Sequence, residues 1–185
     1  MPVSPTKKLT VCALLTALSV VLARLIIPMP NEFTRFSIEA VPIFLAGMLF
    51  GPIYGGVVGF SADLIGCLFS GYGYNPLFCL PPILYGICAG LFRKKLCRKP
   101  SVAWISLSFA LPVVFGSVLW QSFTLAYVYG KGGLLPAFVG FLGTRSIQFA
   151  VTLVLDVLLV FLLQKSGALE AAHLLPANVT KKEQI

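Results

Sequence analysis

Residues 9–163 form a succession of long apolar runs separated by short stretches rich in Gly, Pro and Asn. That pattern leaves few folds open. Inside a bilayer every backbone N–H and C=O must find its partner within the chain, so only helices and closed barrels span. Barrel strands alternate polar and apolar residues, and these runs do not. The chain therefore reads as an all-α membrane protein, a compact bundle of six transmembrane helices. The expected spans are 9–27, 36–50, 53–69, 76–92, 101–129 and 135–163. Pro28 and Pro30 end the first span, and Gly51-Pro52 makes a tight turn after the second. Pro112 and Gly116 interrupt the fifth, where a kink is expected.

Charged residues are 11% of the 185, roughly half the share in a soluble domain. No stretch outside the apolar runs is long enough to fold alone, so residues 1–185 read as one domain with tails at 1–8 and 165–185. The formal net charge of +8 invites a nucleic-acid partner, but the placement of the cations speaks for topology instead. Lys7, Lys8, Arg93, Lys94, Lys95, Arg98, Lys99, Lys165, Lys181 and Lys182 all fall on one side of a six-span chain. Arg35 and Lys131 fall in the opposite loops. Short cytoplasmic loops collect Lys and Arg, so both termini are expected in the cytoplasm. The outer loops are then 29–35, 70–75 and 130–134. The run after Lys8 is longer than a signal-peptide core, and no small-residue cleavage site follows it.

Cys12, Cys67, Cys79, Cys88 and Cys97 form no CxxC pair, and most lie in apolar runs where cysteine acts as a small hydrophobe. The one histidine, His173, is in the tail. Neither a metal site, a disulfide framework nor a cofactor is expected.

Gly51, Gly55, Gly59 and Asp63 recur every four residues and share one face of a helix. The glycines admit a close neighbour. Asp63 follows about 17 Å along a helix begun near Pro52, past the middle of a hydrocarbon layer about 30 Å thick. An ionisable group at that depth is a functional-site candidate, with a structural ion pair to an arginine as the alternative. Arg24 lies about 24 Å along the first span, near the outer surface, or snorkels to headgroups. Arg145 enters from outside to a depth of roughly 15 Å, which favours pairing with Asp63 or a ligand. Arg35 and Glu39 are expected at the outer mouth. Asp156 is expected near the inner end of the last span, solvated or capping. Tyr72, Tyr74, Asn75, Phe78, Trp120, Gln121 and Tyr127 join the ionisable groups in the outer half. Aromatic faces with a few fixed polar groups suit a flat heterocycle, although Tyr and Trp there also form interface belts. Arginine grips carboxylates through two parallel hydrogen bonds. Ala13 and Ala17 make a small-residue face on the first span, for another helix or for internal packing. No nucleophile–base pair and no phosphate-cradling loop is present, so the chain is not expected to be an enzyme or to hydrolyse a nucleotide.

The runs Ser37-Ile38-Glu39-Ala40-Val41-Pro42-Ile43, Ala46-Gly47-Met48-Leu49-Phe50-Gly51-Pro52 and Asp63-Leu64-Ile65-Gly66 resemble the substrate-binding S component of energy-coupling factor (ECF) vitamin transporters. Among these the chain is most similar to folate-type members. Their aromatic-Phe-Pro-Gly-Phe-Thr segment reads Tyr74-Asn75-Pro76-Leu77-Phe78-Cys79 here, matching at Tyr74, Pro76 and Phe78. Thr124, Tyr129-Gly130 and Arg145 fall where folate-type members carry similar residues.

The resemblance implies a six-helix subunit that binds a vitamin in an outward-facing pocket in a bacterial or archaeal cell membrane. It implies docking through Ala13 and Ala17 onto a transmembrane coupling protein, with two ATP-binding subunits supplying energy. On this reading folate or a related pterin binds through Arg24, Arg35, Asp63, Tyr74, Asn75, Pro76, Phe78, Trp120, Gln121, Thr124 and Arg145. The alternatives are a pantothenate, pyridine or thiazole-type vitamin, or a structural membrane protein with no ligand.

Overall fold

The computed structural model describes residues 4–23, 27–28, 35–36, 38–70, 74–97, 101–130 and 133–166; the side chains of 27–28, 35–36 and 70 fall outside that description. The first helix, α1 (Pro5–Leu22), starts four residues earlier than the apolar run predicts. Ser4 explains this: its hydroxyl accepts the Lys7 N–H at 3.3 Å, and Pro5 supplies a preset first turn. The helix also ends earlier, with Ala23 as its cap. Arg24, expected near the outer end of the first span, lies outside the described residues. Ile27–Pro28 (β1) and Arg35–Phe36 (β2) pair antiparallel, Ile27 opposite Phe36 and Pro28 opposite Arg35. The expected second span thus loses its first residues to this short pairing.

The second helix, α2 (Ala40–Phe50), is buried along its whole length. Eleven residues make only about 16 Å of helix, half a hydrocarbon layer. It sits in the middle of the bundle, enclosed by α1, α3 (Pro52–Ser70), α4 (Leu80–Leu91) and α8 (Leu134–Lys165). Glu39 precedes α2 and is held there, its carbonyl accepting the buried Ser19 hydroxyl at 2.8 Å. It therefore stands at the start of an enclosed helix. Gly51 turns the chain into α3 with φ of +106°, a conformation that favours glycine.

The glycine stripe of α3 does what the spacing predicts. A Cβ on Gly55 would meet the Gly86 carbonyl, one on Gly59 the Pro82 carbonyl, and one on Gly90 the backbone of Pro52. The two helices run antiparallel with backbone against backbone. Gly47 of α2 closes on Gly86 in the same way. Next to this ladder, Phe44 stacks on Phe109 at 4.0 Å between ring centres, and Tyr85 packs at 6.0 Å from Phe109.

A one-turn helix, α5 (Arg93–Leu96), follows α4. The expected fifth span is one rod in three parts: α6 (Val102–Pro112), a π-helical segment (Val113–Trp120) and α7 (Gln121–Tyr129). Pro112 brings no N–H and crowds the preceding turn, so the hydrogen-bond ladder widens there instead of breaking. The last helix, α8, is 32 residues, about 48 Å. Among the described residues, four helical rods are long and apolar enough to cross a membrane: α1, α3, α6 through α7, and α8. Two shorter apolar segments, Ala40–Phe50 and Pro76–Leu91, fill the space between them. None of the five cysteines is in a disulfide.

Candidate functional site

Two groups of polar and aromatic side chains flank α4. The first sits at its beginning. Asn75 caps a 3₁₀ turn (Pro76–Phe78), its side-chain oxygen accepting the Leu77 N–H at 3.1 Å. One lone pair of that oxygen serves the turn, so its second lone pair and the amide N–H₂ of Asn75 are left for another partner. Trp120 Nε1 donates to the Leu77 carbonyl at 2.8 Å, which ties the turn to the far rod. The Trp120 ring lies 6.4 Å from Phe123. Tyr74 stands exposed beside the turn, with Phe78 half-buried.

Asp63 meets this group from α3. The Cys79 thiol, at the start of α4, is an electrostatic neighbour of both the Asp63 carboxyl and the Tyr74 hydroxyl. Cys79 beside it pushes the Tyr74 hydroxyl above the ordinary tyrosine range. Asp63 Oδ2 is buried with no hydrogen-bond partner. Sequence reasoning passed over Cys79 as a site residue. The only signal was its place, one residue after the matching Phe78.

The second group is deeper. Tyr85 is six residues further along α4, about 9 Å. Its hydroxyl is 3.2 Å from Ser117 Oγ in the π-helical segment. The Ser117 carbonyl accepts Arg145 Nη1 at 3.4 Å, and the guanidinium lies 5.7 Å from the Phe149 ring centre. Arg145 is 7% exposed. Asp63, one of the two partners expected for it beside a ligand, is carried by a helix that does not pack on α8. α3 packs on α1, α2 and α4, while α8 packs on α2, α6, α7 and the π-helical segment. Asp63 and Arg145 are thus held by helices with different neighbours.

Below Arg145, α8 turns Gln148, Thr152 and Asp156 inward at spacings of three and four. Thr152 bonds back to the Gln148 carbonyl at 3.0 Å. Asp156 is 0% exposed and neither oxygen has a hydrogen-bond partner. It is not solvated or capping, as its place near the helix end suggested. Glu39 and Tyr85 are its electrostatic neighbours. The 145–148–152–156 spacing was visible in the sequence and is the signal that marks this face.

Of the remaining candidates, Gln121 is half-buried beside Trp120. Thr124 is buried, and its hydroxyl bonds the Trp120 carbonyl at 3.0 Å. Arg35 belongs to β2, but its side chain and all of Arg24 lie outside the described residues, as do residues 71–73. Ala13 and Ala17 point outward, whereas Cys12, Thr16 and Ser19 point into the bundle. They are not internal packing.

Comparison with known proteins places this geometry. Over 140 residues the chain is 26% identical to the folate transporter FolT of Clostridium novyi (strain NT), covering 75% of this chain and 79% of that one. A crystal structure of FolT bound with folic acid superposes with a TM-score of 0.67 at 28% identity, over 82% of this chain and 90% of the other. ThiT from Listeria monocytogenes superposes with a TM-score of 0.64 over 92% of this chain and 98% of its own; at 18% identity it speaks for the fold alone. Residues 4–165 match the family model of the ECF-type riboflavin transporter S component, and this multi-pass membrane protein belongs to that family.

Proposed function

We propose that the chain captures folate or a related pterin outside the cell for ATP-driven uptake by partner subunits. The observation that carries this reading is the aromatic mouth of Tyr74, Phe78 and Trp120 set above the buried guanidinium of Arg145. A pterin ring is flat and stacks on such side chains. Asp63, Gln121 and the amide N–H₂ of Asn75 read the donors and acceptors on its edge. Arg145, with Arg24 and Arg35, meets the glutamate carboxylates. The likeness to FolT, including its folic-acid complex, supports this choice.

Around the site, six spans with both termini in the cytoplasm are the topology we propose. Its support is the gathering of Lys and Arg at one end of the described bundle. Ala13 and Ala17, exposed on α1, are the face offered to a transmembrane coupling protein, with two ATP-binding subunits beneath it.

A second reading takes riboflavin as the vitamin, as the description of the matching family suggests. Riboflavin is also flat but carries no carboxylate. The test is direct: denature the purified protein, identify the small molecules it releases by mass, and titrate folate and riboflavin separately. Folate released or bound, with binding at least about tenfold weaker in Arg145→Ala, supports the folate reading. Riboflavin alone replaces it. An Arg145→Ala protein that is folded and binds folate unchanged removes Arg145 from the site.

A further inference from the structure

One end of the bundle collects cations and aromatic rings. Lys7 and Lys8 open α1, Arg93, Lys94 and Lys95 make up most of α5, and Lys165 closes α8. Contacts bring these chain segments together. Lys8 Nζ lies 5.9 Å from the ring centre of Tyr54, at the start of α3. The Cys97 thiol reaches the Met48 carbonyl at 3.5 Å, and Gln164 Nε2 reaches the Met48 sulfur at 2.8 Å, so the ends of α2, α5 and α8 meet. The three described carboxylates are elsewhere. Asp63 is by Cys79 at the opposite end of α4; Glu39 and Asp156 are inside the bundle.

Lys95 is the fixed cation of this set. Its ammonium sits 3.7 Å from the Trp104 ring centre, and Trp104 lies 6.2 Å from Phe92. Arg93 and Lys94 are exposed beside it on the same helical turn. On the adjoining helices α4 and α6, Leu91, Val102 and Leu107 are exposed. Exposed cations and exposed apolar side chains thus adjoin on α4, α5 and α6. A phosphodiester carrying acyl chains matches both parts: its anion meets Lys95, Arg93 and Lys94, and its tails cover the exposed leucines and valine. A water-soluble acidic partner matches only the first part. Polybasic segments at a membrane surface draw anionic lipid, and here the indole orients one of the cations.

We propose that the Lys95–Trp104 cluster on α5 and α6 is a binding site for the headgroup of an anionic phospholipid.

The test uses the full chain in phosphatidylcholine nanodiscs with and without added phosphatidylglycerol, and reads retained lipid by native mass spectrometry. Phosphatidylglycerol should be retained in preference to phosphatidylcholine. Replacing Arg93, Lys94 and Lys95 together with Gln should weaken that retention by at least about tenfold, and Lys95→Gln alone by about fivefold. Lys165→Gln, at the same end but with no ring beneath it, should change it by less than about twofold. Retained vitamin binding in each variant shows that the bundle is folded. If the triple variant does not fold, Lys95→Gln carries the test. Equal retention of the two lipids, or unchanged retention in Lys95→Gln, overturns the proposal. Displacement of the lipid by inorganic phosphate overturns it too, because it reveals a small-anion site. Retention lost only when an acidic coupling protein is added shows a protein site and overturns it likewise.

Discussion

Where α3 meets α4, backbone meets backbone; where α8 meets the α6–α7 rod, buried polar side chains meet one another. The first contact is steric and leaves no room for adjustment. Gly55 against Gly86, Gly59 against Pro82 and Gly90 against Pro52 set one register and exclude any other. The second contact is electrostatic and incomplete. Ser117 bonds both Tyr85 and Arg145, yet Asp156 is enclosed with no hydrogen-bond donor. The rod facing α8 is itself irregular, with a π-helical ladder after Pro112. A membrane bundle that must hold a ligand needs both kinds of contact: a rigid wall, and a wall whose polar groups keep bonding capacity for something else. Asp63 and Cys79 stand where the rigid ladder ends, and they mark its border with the ligand mouth.

The sharpest way to break this comparison is to place bulk in the ladder. Gly55→Leu should cost about 3 kcal/mol or more, because backbone, not a flexible side chain, occupies the space. Gly143→Leu on α8 meets nothing within 4 Å and should change stability by less than about 0.5 kcal/mol. Thermal unfolding in detergent compares the two. Equal losses would mean that the glycines matter through helix propensity alone, and the steric account of the ladder would fail.

Arg145→Ala and Asp156→Asn sharpen the other half. Removing Arg145 deletes a bond to the Ser117 carbonyl and a ring contact in a buried place, at a cost of about 2 kcal/mol. Asp156→Asn keeps the shape and replaces an enclosed carboxyl that nothing donates to. Its stability should hold or rise by about 1 kcal/mol. A loss of several kcal/mol from Asp156→Asn would reveal a bonded carboxylate and a polar wall as tightly specified as the ladder.

The ladder was legible in the sequence because glycine every four residues has few meanings in an apolar run. The Gly51-Pro52 turn was legible for the same reason. Counting rise per residue put Arg145 well along the last helix, and it is eleven residues from the start of α8. Counting failed where direction mattered. Asp156 is nine residues from the end of α8, a distance that suits water, but the helix turns that face inward. Hydropathy also misplaced α1, since Ser4 and Pro5 start the helix before the apolar run begins. The shortness of α2 was hidden because its apolar run continues back toward Phe36, whose backbone pairs with Ile27 instead. Cys79 escaped notice because a lone cysteine in an apolar run has no pattern. Its meaning comes from Asp63 and Tyr74, which only the fold brings to it.

Smaller effects test how the two walls are joined. Trp120→Phe keeps a ring at the mouth and deletes the bond to the Leu77 carbonyl. The loss should be about 1 kcal/mol of stability. Vitamin binding should weaken by about fivefold, with more rapid dissociation, because the 3₁₀ turn is no longer held to the far rod. Stopped-flow binding separates this from a stacking role. Unchanged dissociation would mean that the turn is positioned by Asn75 alone.

The smallest effect is expected at Cys79, where the end of the ladder touches the mouth. Cys79→Ser keeps a group that can donate to Asp63 and accept from Tyr74, so the link survives. Cys79→Ala removes the link and leaves Asp63 and Tyr74 without their common partner. The two variants remove nearly the same volume, so the difference between them isolates the polar contact. That difference should be about 0.5–1 kcal/mol in stability, with binding weaker by about threefold in the alanine variant. Equal behaviour of Ser and Ala would show that Cys79 only fills space. The border between the two walls would then be set by α3 packing on α4, and Asp63 would reach the ligand without a thiol to orient it.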